Sequence, residues 1–78
     1  MEKPNFKNLA EKWPSAWVAR QEIGHFTGGT ISEKYAANLD SRGLGPKGRI
    51  RVGRKIAYPV GPLIEWLEGR SVNLDEND

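Results

Sequence analysis

Cysteine is absent from this chain of 78 residues, and histidine occurs once, at His25. Without cysteine there is no disulfide and no thiolate metal site, and one imidazole does not make a histidine cluster. The absence of cysteine also fits a reducing compartment. No apolar run is long enough to span a membrane, and the N-terminus has no apolar stretch behind its first charges, as a signal peptide would. We therefore expect one cytoplasmic domain that binds neither a metal nor a membrane.

A convergent set of reactive side chains is missing as well. Residues 43–48 combine glycines with a lysine, but they lack the Walker spacing and a preceding strand. Glu65 and Glu68 lie three residues apart and share the solvent face of a predicted helix. Tyr35 has no cluster of catalytic partners near it in the sequence, and a lone His25 is more typical of packing or surface. The sequence therefore predicts a protein that is not an enzyme and that uses no cofactor or small-molecule substrate.

Positive charge is concentrated in one segment of the chain. Residues 42–55 contain half of the twelve basic residues and no acidic one, although the formal net charge is only +2. The last four residues, 75–78, are mostly acidic. This asymmetry indicates a polyanionic partner that meets one face, and a solvated basic loop is the alternative. The basic residues of the segment are Arg42, Lys47, Arg49, Arg51, Arg54 and Lys55.

The first sixteen residues form an N-terminal extension with one short predicted helix. Asn5 can cap it, Pro14 ends it, and its apolar residues recur at helical spacing. Those residues are Phe6, Leu9, Ala10 and Trp13. Two turns of helix are marginal alone, so this apolar stripe packs on the core, pairs with another chain or stays mobile.

The next segment has the outline of a helix-turn-helix. A helix is predicted from Arg20 to Phe26, with Ala19, Ile23 and Phe26 turned inward, and residues 27–30 (Thr-Gly-Gly-Thr) form a sharp turn. Ser32 then caps a second helix that runs to Ser41 and ends at Gly43. Its predicted inward residues are Tyr35, Ala36 and Leu39, supported by Ile31 before the cap.

A basic hairpin and a last helix follow. Residues 49–52 and 56–58 alternate with period two, which predicts a hairpin. A three-residue loop over 53–55 pairs Val52 with Ile56 and Ile50 with Tyr58, which gives one apolar face; a two-residue turn mixes the faces. The longer loop is therefore predicted, with Arg49 and Arg51 outward. Pro62 opens a helix through Gly69 that buries Leu63, Trp66 and Leu67, and residues 71–78 are expected to be a disordered acidic tail.

These features favour DNA as the partner. The helix after Ser32 presents a polar face with a small alanine for close approach, on which Asn38 can read adenine and Lys34 can reach guanine or a phosphate. Its N-terminus also attracts phosphate. The candidate contacts from this helix are Ser32, Glu33, Lys34, Ala37, Asn38, Ser41 and Arg42. The candidate contacts from the hairpin, acting as a wing on the backbone or minor groove, are Lys47, Arg49, Arg51, Arg54 and Lys55.

Residues 18–69 resemble the small MerR-like winged helix-turn-helix domains of excisionases and AlpA-type prophage regulators. The resemblance is carried by the Ser-capped helix ending in glycine, by Val52-Gly53-Arg54-Lys55-Ile56-Ala57-Tyr58, and by Leu63-Ile64-Glu65-Trp66-Leu67. The turn over residues 27–31 is longer than is usual there, and the segment before Trp17 has no counterpart.

The resemblance implies an α+β fold, a winged helix-turn-helix over residues 17–70 with three or four short helices and a two-stranded hairpin wing. It also implies a nucleoid-associated bacterial protein that bends double-stranded DNA and helps a prophage integrase to excise, with adjacent copies on the DNA. A prophage transcription regulator that uses the same surface is the alternative. A protein-interaction or inhibitor module acting through Phe6, Leu9 and Trp13 is an alternative of another class.

Overall fold

The computed structural model describes residues 6–71 of the chain, which form a small α+β domain. Its elements in chain order are helix α1 (Lys7–Lys12), strand β1 (Trp17–Ala19), a 3-10 helix (Arg20–Glu22), α2 (Ile23–Phe26), α3 (Glu33–Ser41), β2 (Ile50–Val52), β3 (Lys55–Pro59) and α4 (Val60–Gly69). The α+β class and the four helical segments agree with the sequence prediction. The predicted cap Asn5 and the tail residues 72–78 lie outside the described residues. Within residues 6–71, no helix is long and apolar enough to cross a membrane.

The sheet has three antiparallel strands in the order β1-β3-β2. A two-stranded hairpin was predicted, and this is wrong because β1 pairs along the other side of β3. Val18 of β1 lies opposite Tyr58, and Trp17 lies opposite Pro59. With only three residues, β1 is too short to show the alternation by which strands are found in a sequence.

The hairpin register also differs from the prediction. Val52 pairs with Lys55 and Ile50 pairs with Ala57, so that the connection is a two-residue turn at Gly53-Arg54. Gly53 has φ +62°, whereas no other residue type among residues 6–71 has positive φ, and this is the pattern of a type II′ turn. The predicted three-residue loop is therefore wrong. The turn determined the register, because its twist matches the twist of the two strands.

The changed register turns β2 over. Arg51 now lies opposite Ile56, on the sheet face that also carries the buried Tyr58. Ile50 and Val52 lie on the outer face, where they are 39% and 65% exposed. A shift of one residue moves every side chain of a strand to the opposite face, so Arg51 lies on the face that was predicted to be apolar, although its side chain is exposed.

The core lies between the inner face of the sheet and the helices. Its fully buried side chains include Val18, Ile23, Tyr58 and Leu63, and Phe26, Ile31, Ala36, Ile64 and Leu67 complete it. The inward positions predicted for Ile23, Phe26, Ile31, Ala36, Leu39, Leu63 and Leu67 are confirmed.

The N-terminal helix packs on this core. Phe6, Leu9, Ala10 and Trp13 are half-buried against it, and the Trp13 ring meets Phe26 edge to face at 5.2 Å. The indole nitrogen of Trp13 also donates a hydrogen bond to the carbonyl of Trp17 at 2.9 Å. The sequence left open whether this helix packs on the core, pairs with another chain or stays mobile. In the structure it packs on the core.

Two aromatic residues lie nearer the surface than predicted. Tyr35 is 42% exposed, because the buried arc of α3 is formed by Ala36, Leu39 and Asp40. Its hydroxyl accepts a hydrogen bond from Arg70 at 3.0 Å. Trp66 is half-buried, and its indole nitrogen donates to the carbonyl of Leu44 at 2.9 Å. It therefore fastens the loop after α3 instead of filling the centre of the core.

Candidate nucleic-acid interface

The turn between α2 and α3 is held by the buried side chain of Thr27. Its hydroxyl donates to the carbonyl of Ile23 at 2.8 Å and accepts from the amide of Ile31 at 3.1 Å. Gly28 and Gly29, both with positive φ, make the reversal between these two bonds. Because Thr27 joins the last turn of α2 to the residue before the cap of α3, the two helices are fixed relative to each other.

Helix α3 begins at the predicted cap. The Ser32 hydroxyl accepts a hydrogen bond from the amide of Tyr35 at 3.0 Å, which satisfies one of the free amides of the first turn. The main role of Ser32 is therefore to cap α3. Its hydroxyl oxygen is engaged at the helix N-terminus, where the remaining amides could still attract a phosphate.

The predicted outer face of α3 is accessible. Glu33, Lys34, Asn38 and Ser41 are exposed, and Ala37 is half-buried among them. At about 100° per residue these five positions span an arc of about 140°, opposite the buried arc. The Ser41 hydroxyl donates to the carbonyl of Asn38 at 2.7 Å. Lys34 and Asn38 lie four residues apart on this exposed arc.

Arg49 and Arg51 lie on the same side of the sheet as α3. Tyr58 shares a sheet face with Ile56, the residue opposite Arg51, and its hydroxyl donates to Asp40 of α3 at 2.6 Å. Arg49 approaches Asp40 directly, with its Nη1 atom 4.0 Å from Oδ1. Arg42 follows the last residue of α3 and is exposed. The structure therefore brings Arg42 and Arg49 to the C-terminal end of α3, and Arg51 lies on the sheet face that looks toward this helix.

The other predicted cations are placed differently. Lys55 lies on the outer face opposite Val52, and its Nζ donates to Oε1 of Gln21 at 2.5 Å. Arg54 occupies the exposed turn, and Lys47 lines a shallow groove with Pro62 and Trp66. Lys55 is thus separated from Arg51 by the sheet, although the two were predicted to act together.

A buried polar cluster at the end of α3 was not predicted. Asp40 Oδ2 accepts hydrogen bonds from the Tyr58 hydroxyl and from Arg20 Nη2, both at 2.6 Å. Arg20 Nε also donates to the Tyr58 hydroxyl oxygen at 2.9 Å. Burial, and the hydrogen bond to Asp40, raise the pKa of Tyr58 to about 12. These partners lie eighteen and twenty residues from Asp40 in the sequence, so no local pattern indicates them.

The second oxygen of Asp40 is not satisfied in the same way. Oδ1 is buried and has no hydrogen-bond partner within residues 6–71. Gly45 packs directly against it, since a Cβ atom there would lie 1.8 Å from Oδ1. The loop after α3 therefore rests on this carboxylate.

Within residues 6–71, no three acidic or histidine side chains are grouped so that they could hold a metal ion. In comparisons with known proteins, no family model, no curated protein and no solved structure matches the chain.

Proposed function

We propose that the chain is a winged helix-turn-helix protein that binds double-stranded DNA, with α3 as the recognition helix and the β2–β3 hairpin as the wing. The observation that supports this most is that the basic hairpin is joined to the end of α3. Arg49, next to β2, lies 4.0 Å from Asp40 of this helix, whose outer face is polar and exposed. A duplex that receives α3 in its major groove would meet Arg42 and Arg51 at its backbone. A solvated basic loop gives no reason for that contact.

In this proposal helix α3 reads the bases and the arginines contact the DNA backbone. Asn38 carries an amide that can pair with adenine through two hydrogen bonds, and Lys34 can donate to guanine or to a phosphate. Ala37 lies between them on the helix surface and allows the backbone to come close to the base edges. Arg42 and Arg51 add affinity by releasing counterions from the duplex.

We further propose that the chain acts as an excisionase, with an integrase and adjacent copies of itself as partners. The resemblance of residues 18–69 supports this role, as does the small size of the domain. Bending 20–30 base pairs costs on the order of 1–6 kcal/mol, which wing contacts and neighbouring copies would offset. A regulator that uses the same surface would need neither a bend nor an integrase.

The replacement Asn38→Ala tests the assignment of α3. We expect it to weaken binding to a site selected from random sequences by about 1–3 kcal/mol and to relax the preference at one base pair. Binding to unrelated DNA should change little, because phosphate contacts remain. Mobility-shift titrations at several salt concentrations measure both. Asn8→Ala, an exposed asparagine of α1, is the matched control.

Two results would contradict the proposal. Equal losses on the selected site and on unrelated DNA would remove Asn38 from base recognition. An affinity that does not fall with salt would remove DNA as the partner. If DNA binding holds, gel mobility of fragments with the site at different positions, with and without the integrase, separates an excisionase from a regulator.

A further inference from the structure

Asp40 is an unusual residue for the end of a recognition helix, because its carboxylate is buried while only one of its two oxygens is hydrogen-bonded. The side chain is 3% exposed, and Oδ1 has no hydrogen-bond partner among residues 6–71. A buried carboxylate oxygen without a partner is costly, so a nearby donor is expected to answer it.

Arg49 is the cation that approaches this oxygen. Its Nη1 lies 4.0 Å from Oδ1, with the Arg49 side chain 45% exposed. Arg20 binds the other oxygen and the Tyr58 hydroxyl. Gly45 contacts Oδ1 from the loop, so that Asp40 joins α3, the loop after it and the residue that leads into β2.

We infer that Arg49 is a positioning residue, which fixes the wing to α3 through Asp40, and that it does not contribute a phosphate contact. This inference rests on the proposed function. In this arrangement the guanidinium is held at Oδ1 of Asp40 and not at a phosphate, so it releases no counterions from DNA. It acts on affinity by holding the hairpin at a fixed distance from the recognition helix.

Arg49→Ala and Arg51→Ala form a matched pair for the test. Both arginines are exposed, two residues apart and on the α3 side of the sheet. The measurement is the slope of log affinity against log salt. Affinity falls as salt rises, so the slope is negative. We expect Arg51→Ala to make it about one unit less steep, as the loss of one phosphate contact does. Arg49→Ala should weaken binding several-fold with an unchanged slope. A reduction equal to that of Arg51→Ala would overturn the inference.

Asp40→Asn gives the reverse experiment. The amide keeps the shape and one acceptor oxygen but no longer attracts Arg49, which becomes free to reach a phosphate. We expect the slope to become about one unit steeper. This increase in steepness should vanish in the double variant Asp40→Asn/Arg49→Ala. An increase that survives in the double variant would assign the released charge to Arg20 and overturn the inference. If Asp40→Asn does not fold, the Arg49→Ala and Arg51→Ala pair still decides.

A measurement without DNA keeps the inference separate from the proposed function. Urea unfolding of the wild type, the two single variants and the double variant gives the coupling between Asp40 and Arg49. We expect Arg49→Ala to shift the midpoint less in the Asp40→Asn background than in the wild type. Additive shifts would contradict the link between Arg49 and Asp40. Coupling between them in a protein that fails to bind DNA would contradict only the proposed function.

Discussion

Tyr58 connects the centre of the sheet to helix α3 through one hydroxyl group. The ring is fully buried, and the hydroxyl both donates to Asp40 and accepts from Arg20. A tyrosinate at this position would face the Asp40 carboxylate in a buried site. The folded protein therefore holds the phenol proton more tightly than the unfolded chain does.

This arrangement predicts a loss of stability in alkaline solution. The pKa of Tyr58 is about 12 in the folded protein, compared with 10.0 for an ordinary tyrosine. The stabilisation is complete below about pH 10 and is lost as the pH rises toward 12, because only the unfolded chain releases the proton in that interval. The loss should be on the order of 2 kcal/mol. Urea unfolding from pH 9 to pH 12 measures it.

The variant Tyr58→Phe isolates this contribution from the titration of lysines. The wild type should lose its advantage over Tyr58→Phe across the interval. Parallel curves for the wild type and Tyr58→Phe would mean that the hydroxyl titrates alike in both states.

Among the elements, the β2–β3 turn depends most clearly on a single residue, Gly53. Gly53 has φ +62°, and a Cβ atom there would meet no atom within 4 Å. An L residue in this left-handed region costs about 1–2 kcal/mol, so we expect Gly53→Ala to lower the free energy of unfolding by that amount through backbone strain alone. The urea midpoint measures the change.

Gly69→Ala in α4 is the control for this prediction. The position has equal space around a Cβ, and its φ is not in the left-handed range. Because alanine favours a helix more than glycine does, this change should not destabilise the protein. Equal losses for both variants would indicate that the turn is not the reason.

The sequence predicts those elements whose signals are local. Helix α3 follows from the Ser32 cap and the closing Gly43, and the helix-turn-helix outline follows from the two glycines after Thr27. The polar face that contains Lys34 and Asn38 needs only the helical period. These features depend on residues within one or two turns of each other.

The remaining features depend on distant partners. The register of β2 was predicted from the assumption that Ile50 and Val52 must face the core, but Val18 and Tyr58 already fill the inner face of the sheet. Strand β1 forms only when it pairs with β3, and the Asp40 cluster forms only when Arg20 and Tyr58 reach α3. A prediction from local pattern therefore locates the basic segment correctly but turns its strand over.

At the scale of the whole molecule, the two faces of the sheet differ in chemistry. The face toward α3 carries Arg51, and the opposite face carries Trp17, Ile50 and Val52, which are 40%, 39% and 65% exposed. The N-terminal helix covers another part of the core with its apolar stripe. That stripe was the surface on which an interaction or inhibitor module was predicted to act, and here it is used within the domain.

One copy of this domain offers little surface for choosing a site. The nine residues of α3 extend about 13 Å at about 1.5 Å per residue, which is the length of about four base pairs. A single module buries about 600–1,000 Å² on DNA. We therefore expect weak discrimination by one copy and a gain in affinity when neighbours share contacts at high effective concentration.

Titration onto an isolated site and onto a tandem array measures that gain. Occupancy of an array spaced in helical phase should rise more steeply with protein concentration than occupancy of independent sites. An array with spacers lengthened by half a helical turn is the control, because neighbouring copies then lie on opposite sides of the duplex and cannot touch. The steep rise should disappear there. Tight binding to the isolated site, with equal occupancy curves on all three DNAs, would contradict assembly and favour a regulator that acts as a single copy.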